Sequence, residues 1–246
     1  MKEQRIQIIK RIINQILLEI SDVEYIIDLS RLKLLYDRKH KMQIILNDKD
    51  NKTMQYNFYY EDNGNFYGSI NIKNFERSFL MEYPPQYRKG ELININPILN
   101  IANYDDETTF LLSTYHEVTH FISSGSWNTI QKGDKSIIEH ISGISVDRYY
   151  YNKEKVTTIE SNNMEFINEA INDWISKYLY SLIEKKKISN DDRYKKINMQ
   201  IKNKIQNGEI KAKDIISYYI SNEISKLKEG LSIEDFYIGK AKGERE

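Results

Sequence analysis

Two histidines four residues apart, His116 and His120, with Glu117 directly after the first, make the stretch from Ser113 to Gly125 the most chemically specific part of this sequence. The chain has 4 histidines in all. On an α-helix, positions i and i+4 lie one turn apart on one face. Two imidazoles so placed can both reach one divalent ion at about 2.0–2.1 Å. A carboxylate one residue further on flanks the ion instead of binding it. From there Glu117 can take a proton from water, which makes it a general base for hydrolysis. The flanking residues agree. Leu111, Tyr115, Val118 and Ile122 form an apolar stripe, while Thr109, Ser113, His116 and His120 form a separate polar one, so the histidines face away from the main core.

A catalytic zinc takes three protein ligands and keeps one position open. With no cysteine in the chain, no thiolate can serve. A histidine six residues after His120, with a glycine between, is also missing: Ser123 and Ser126 occupy those places. Glu139 and His140 are candidates, although Ile137, Ile138, Ile141 and Ile144 around them suggest a packed segment. A stronger candidate lies between Met164 and Leu179, where Phe166, Ile167, Ala170, Ile171, Trp174, Ile175 and Tyr178 make a wide apolar helical face. Glu169 and Asp173 sit one turn apart beside it. In isolation such a pair reads as a solvated acidic edge, but carboxylates on a largely buried helix need partners. A metal ion would serve Glu169, and the ring N–H of His116 would serve Asp173.

His116-Glu117-x-x-His120 followed by Asn168-Glu169-Ala170-Ile171-x-Asp173 resembles the gluzincin metallopeptidases, the thermolysin-like clan. The resemblance covers roughly residues 90–180 and rests on two short motifs, the first specific for zincins and the second only in combination. It implies a zincin-like fold, one Zn²⁺ held by His116, His120 and Glu169, Glu117 as base, Asp173 bracing a histidine, and a peptide or protein substrate. The sequence departs from the pattern in two ways. The gap from His120 to Glu169 is longer than in the thermolysin type, and no histidine follows His140 to stabilise an oxyanion. Tyr149, Tyr150 and Tyr151 are candidates to donate an O–H instead. Zincin substrates usually lie along an edge strand, and Ile93–Asn96 is the segment expected to provide it by strand addition.

The elements that must position these residues are legible in outline. Residues 3–37 read as one long or two short helices, broken near Ser21-Asp22 or Ser30, with Ile6, Ile9, Ile13, Ile16 and Ile20 on one face. Strand patterns follow, with a hairpin signal at Asp62-Asn63-Gly64. Pro97 is read as the end of a short strand, and Asp105-Asp106-Glu107 as the start of the histidine helix, stopped at Gly125. A second hairpin is expected about Asn152-Lys153-Glu154, then a helix over about residues 163–186, then further helices with breaks at Gly208 and Gly230. The fold class is therefore α+β: an N-terminal helix and small antiparallel sheet, the active-site helix, and a helical C-terminal half. The expected organisation is an N-terminal lobe over 1–125 and a C-terminal lobe over 126–246, or one compact domain with a cleft between them.

Lys+Arg and Asp+Glu both number 36, so no overall field favours nucleic acid or an anionic membrane. Lys10, Arg11, Asn14, Gln15 and Glu19 interrupt the N-terminal apolar run, so an amphipathic helix is read there and not a signal peptide. A cytoplasmic location is the expectation. The rival reading is a non-catalytic regulatory or interaction protein, of phage or mobile-element type, in which zinc is a structural brace. A structural zinc closes its fourth position, and the sequence offers no obvious fourth ligand.

Overall fold

A computed structural model describes residues 2–47, 55–62, 65–71, 95–132, 135–151, 156–161, 164–188 and 194–232. The described residues form an α+β structure: helices, two small sheets, and a helical C-terminal half. Helices α1 (Lys2–Ile20) and α2 (Leu29–His40) precede strands β1 (Gln43–Asn47), β2 (Gln55–Asp62), β3 (Asn65–Asn71) and β4 (Ile95–Ala102). Helix α3 (Glu107–Ser123) carries the histidines. Strands β5 (Ser124–Lys132), β6 (Lys135–Ser142), β7 (Ser145–Tyr151) and β8 (Val156–Ser161) come next. Helices α4 (Glu165–Glu184), α5 (Lys195–Gln206), α6 (Ala212–Ile220) and α7 (Ile224–Leu231) follow.

The N-terminal segment breaks into two helices at the first expected point, after Ile20. Helix α1 buries Ile9, Ile12, Ile13, Ile16, Leu17 and Ile20, the 3.6-residue stripe its pattern dictates. It packs on α3, α4 and β1. Asp28 caps α2 by accepting from the Ser30 N–H at 2.6 Å.

The first sheet has the order β1-β4-β2-β3. It is mixed and not purely antiparallel, because β1 runs parallel to β4. The hairpin expected at Asp62-Asn63-Gly64 is present in its strands, which pair Asp62 with Asn65. Strand β4 corrects the expected end at Pro97: it runs on to Ala102. Residues 95–100 pair with β2, and from Ile98 onward β1 occupies the other side. Pro97 stands one residue before that pairing begins, so no bond to β1 needs its missing N–H. Of the proposed edge segment, Ile93 and Asn94 lie outside the described residues, while Ile95 and Asn96 pair with Tyr60 and Tyr59. Among the described residues, the strands at the sheet's edges are β1 and β3.

The second sheet, β5-β6-β7-β8, is an antiparallel meander that fills the whole interval between the two ligand-bearing helices. Its β7–β8 pair was expected as a hairpin. Pairing of β5 with β6 was not, although Gly133-Asp134 between two alternating runs is the sort of dipeptide that closes one. Gly125 does not cap α3 in a left-handed conformation. The helix passes into β5 at Ser124, whose N–H bonds to the His120 carbonyl. Gly125 is required by crowding, since a Cβ there would stand 1.9 Å from Asn222 Oδ1 and 2.8 Å from the Ile141 carbonyl. In the C-terminal half, Gly208 takes φ +73° between α5 and α6 as expected. Gly230 does not break a helix: it lies inside α7, and the left-handed residues that end α6 and α7 are Asn222 and Ser232.

One hydrophobic core draws on both halves of the chain, from Ile9 through Leu99, Phe110, Tyr115 and Ile171 to Tyr219 and Leu231. Helices α3 and α4 face each other across it. Among the described residues, no helix is long and apolar enough to cross a membrane.

Candidate metal centre

Helix α3 begins where a carboxylate can serve its unpaired N–H groups. Asp106 Oδ2 accepts from Thr109 N and Thr109 Oγ1, both at 2.7 Å. The Thr109 hydroxyl, and then its N–H, hold the Asp106 carboxyl below the usual aspartate value, as expected for an N-cap. Phe110, Leu111, Tyr115, Val118, Phe121 and Ile122 are buried, and this anchors one side of the helix. Two buried threonines satisfy their hydroxyls within the helix: Thr114 bonds to the Phe110 carbonyl and Thr119 to that of Tyr115, each at 2.8 Å.

The far end of α3 is held by side chains from other elements. Arg31 donates to the carbonyls of Ile122 and Ser124 at 2.8 and 2.6 Å. Arg38 donates to those of Ser124 and Gly125 at 2.9 and 3.1 Å. Asn222 Nδ2 reaches the Ser123 carbonyl at 2.9 Å. Positive guanidinium groups at this end also suit the negative pole of the helix. Sequence pattern offered no sign of Arg31, Arg38 or Asn222 in this role, because their partners are backbone atoms 86 to 99 positions away.

Off the apolar stripe of α3, His116 and His120 bring their Nε2 atoms to 3.2 Å of each other. Glu169, from α4, meets both. Its Oε2 lies 3.4 Å from His116 Nε2 and its Oε1 lies 3.4 Å from His120 Nε2. These three side chains are largely covered, with exposures of 22%, 12% and 15%. Among the described residues they are the group able to hold a metal ion. The spacing suits one. An ion bonded at about 2.0–2.1 Å in tetrahedral geometry separates its ligand atoms by about 3.3–3.4 Å. Burial pushes the Glu169 carboxyl up, but the charge of His120 and hydrogen bonds from both imidazoles outweigh it and hold the carboxyl well below the usual range.

Glu117 is also buried, at 5% exposure, on the same turn as His116. One residue rotates a side chain by about 100° around a helix, so Glu117 flanks the two imidazoles without lying in their line.

The other expected residues fall into place differently. Asp173 Oδ2 accepts from Lys177 at 2.7 Å and from Asn198 Nδ2 at 3.3 Å. The expected donor, the His116 ring, is not one of these partners. The contact to His116 comes from Asn172, whose Nδ2 bonds to the backbone carbonyl at 3.0 Å. Glu139 pairs with Arg148 at 2.7 Å and stands apart from the histidines. The backbone of His140 pairs with Asp147 in the second sheet, but its side chain lies outside the described part, as do those of Tyr149, Tyr150 and Tyr151 in β7.

The chain matches no protein-family model, no curated protein and no solved structure. The geometry itself is therefore the ground for placing the site in a class: a covered His-His-Glu group, with both histidines on one helix and the glutamate on the next, is consistent with a zincin-like centre.

Proposed function

We propose that this protein is a zinc-dependent peptidase of gluzincin type. The observation that carries the reading is the triangle of ligand atoms, with sides of 3.2, 3.4 and 3.4 Å, with Glu117 buried on the same helix. Three protein ligands is the number used by catalytic zinc, and two imidazoles with one carboxylate is a set that suits it. A divalent ion bound there supplies a Lewis acid for a carbonyl oxygen and lowers the pKa of water. His116 and His120 contribute nitrogen donors, and Glu169 contributes a negative charge that an ion offsets. Glu117 accepts a proton from the attacking water and returns it to the leaving nitrogen of the cleaved peptide bond. Extended peptide is the substrate class that the resemblance to gluzincins suggests.

Metal analysis of the purified chain, followed by digestion of a peptide library, tests this. Zinc is expected at one ion per chain. Glu117→Ala should retain the ion and lose cleavage by about 10²–10⁴-fold, the usual contribution of a general base. Wild-type cleavage by Glu117→Ala, or a wild-type chain that takes up no metal, would remove the reading.

A further inference from the structure

Glu169 can reach the imidazoles only if α3 and α4 pack in one axial register. The two helices pack together, and Val118 on α3 and Ala170, Ile171 and Ile175 on α4 belong to the core they share. Hydrophobic contact is non-directional, so it holds helices together better than it selects among neighbouring registers. A slip of one helical turn moves a side chain by about 5.4 Å, enough to part Glu169 from both histidines. A directional interaction close to the site is needed, and one stands three residues after Glu169 on the same face of α4.

Asn172 is fully buried. Its Nδ2 donates to the His116 carbonyl at 3.0 Å, from the element that carries Glu169 to the element that carries His116. That carbonyl already serves the helix ladder with one lone pair and has a second to offer. On its other side, Asn172 Oδ1 lies 3.4 Å from the Tyr219 hydroxyl, which also lies 3.3 Å from the Asn168 carbonyl. Tyr219 is buried as well. Burial, and then the charge of Glu169, push its phenol well above the usual value, so it remains an O–H donor. The backbone at Gly143 packs close against the ring. A Cβ at Gly143, which takes φ +57°, would stand only 2.2 Å from it. The turn bearing Gly143 is itself tied to α4, because Ile144 N donates to Asn168 Oδ1 at 3.0 Å. In any other register Asn172 would be a buried amide without partners, at a cost of about 1–3 kcal/mol.

We infer that Asn172 and Tyr219 are positioning residues for the metal centre: the Tyr219 hydroxyl orients the Asn172 amide, and that amide locks α4 against the His116 carbonyl so that Glu169 meets both imidazoles. The inference rests on the metal reading and assigns these two residues no contact with substrate.

Zinc affinity of the full-length chain, by competition with a chromophoric chelator, and the visible spectrum of the Co²⁺-loaded protein test it. Asn172→Ala is expected to weaken zinc binding 10–100-fold, the usual effect of losing a contact behind a ligand, and to alter the cobalt bands that report coordination geometry. Tyr219→Phe, which keeps the ring, should shift both in the same direction by less, and it carries the test alone if Asn172→Ala does not fold. Ser217→Ala is the control. It lies on the same helix and bonds to Ile26 N and the Lys213 carbonyl, far from the ligands in its partners. It should lower the melting temperature and leave zinc affinity and the cobalt spectrum unchanged. Wild-type affinity and cobalt bands in both site variants, or zinc losses matched by Ser217→Ala, would overturn the inference while the metal reading survives. A wild-type chain that binds neither ion would overturn both.

Discussion

Helix α4 carries two carboxylates one turn apart, and their surroundings differ. Glu169 lies opposite α3 and meets two imidazoles at 3.4 Å. Asp173 lies beside α5 and is held by Lys177 of its own helix and Asn198 of α5. Helical periodicity puts both on one side, but what each carboxylate does depends on the element packed at its level. Glu169 is drawn to groups that can share an ion. Asp173 is already neutralised by a lysine and has no need of one. Further along, Glu184 repeats the second pattern: its Oε1 accepts from Arg11 at 2.9 Å and from the Tyr115 hydroxyl at 3.0 Å, tying α4 to α1 and α3. The N-terminal turns of α4 thus present charge to a ligand site, while the later turns use charge to fasten helices together.

The strongest test of this contrast is a matched pair of substitutions. Glu169→Ala should lower zinc affinity by more than the roughly 100-fold that marks the loss of an outer contact, as measured by chelator competition. Equal affinity in wild type and variant would erase the distinction between the two carboxylates. At the fastening end, Tyr115→Phe is expected to destabilise the protein by about 1–2 kcal/mol through loss of a bond to a charged partner, with zinc affinity unchanged. Denaturant unfolding reads the first effect and chelator competition the second.

Asp173→Ala should cost about 0.5–1 kcal/mol or less, since the Lys177 pair is partly exposed, and should leave metal affinity within about threefold, well short of a contact behind a ligand. A tenfold loss would sharpen the picture differently. It would mean that Asp173 exchanges Lys177 for the His116 ring once an ion is bound, as the resemblance to gluzincins implies. The smallest effect belongs to a carboxylate that serves a helix end. Because the folded Asp106 carboxyl lies below its ordinary value of 3.8, its contribution is present above that pH and is lost as pH falls through the folded value. Asp106→Asn keeps a capping oxygen that does not titrate, so its stability should fall less steeply on the acid side. Parallel acid-unfolding curves for the two proteins would count against the cap.

The helices and their apolar faces were legible because periodicity is local. Ile9, Ile13, Ile16 and Ile20 on α1, and Leu111, Tyr115, Val118 and Ile122 on α3, occupy the core positions their spacing implies. Where the β pattern misled, the missing information was about neighbours. Pro97 resembles a strand end until β1 is seen to begin pairing one residue later.

By itself, the sequence determined that His116 and His120 share a helix face with Glu117 flanking them, because an α-helix turns by a constant angle per residue. It also marked Glu169 as a carboxylate needing a partner, because its helix is too apolar to leave it in water. Tertiary structure alone decided that Glu169, and not Asp173, reaches the imidazoles. That choice depends on the register of α4 against α3, set by buried bonds from Asn172 and Tyr219. It depends also on the anchoring of α3 by Arg31, Arg38 and Asn222. These contacts join residues far apart in the chain through single hydrogen-bond donors, and such contacts leave no periodic trace in the order of residues.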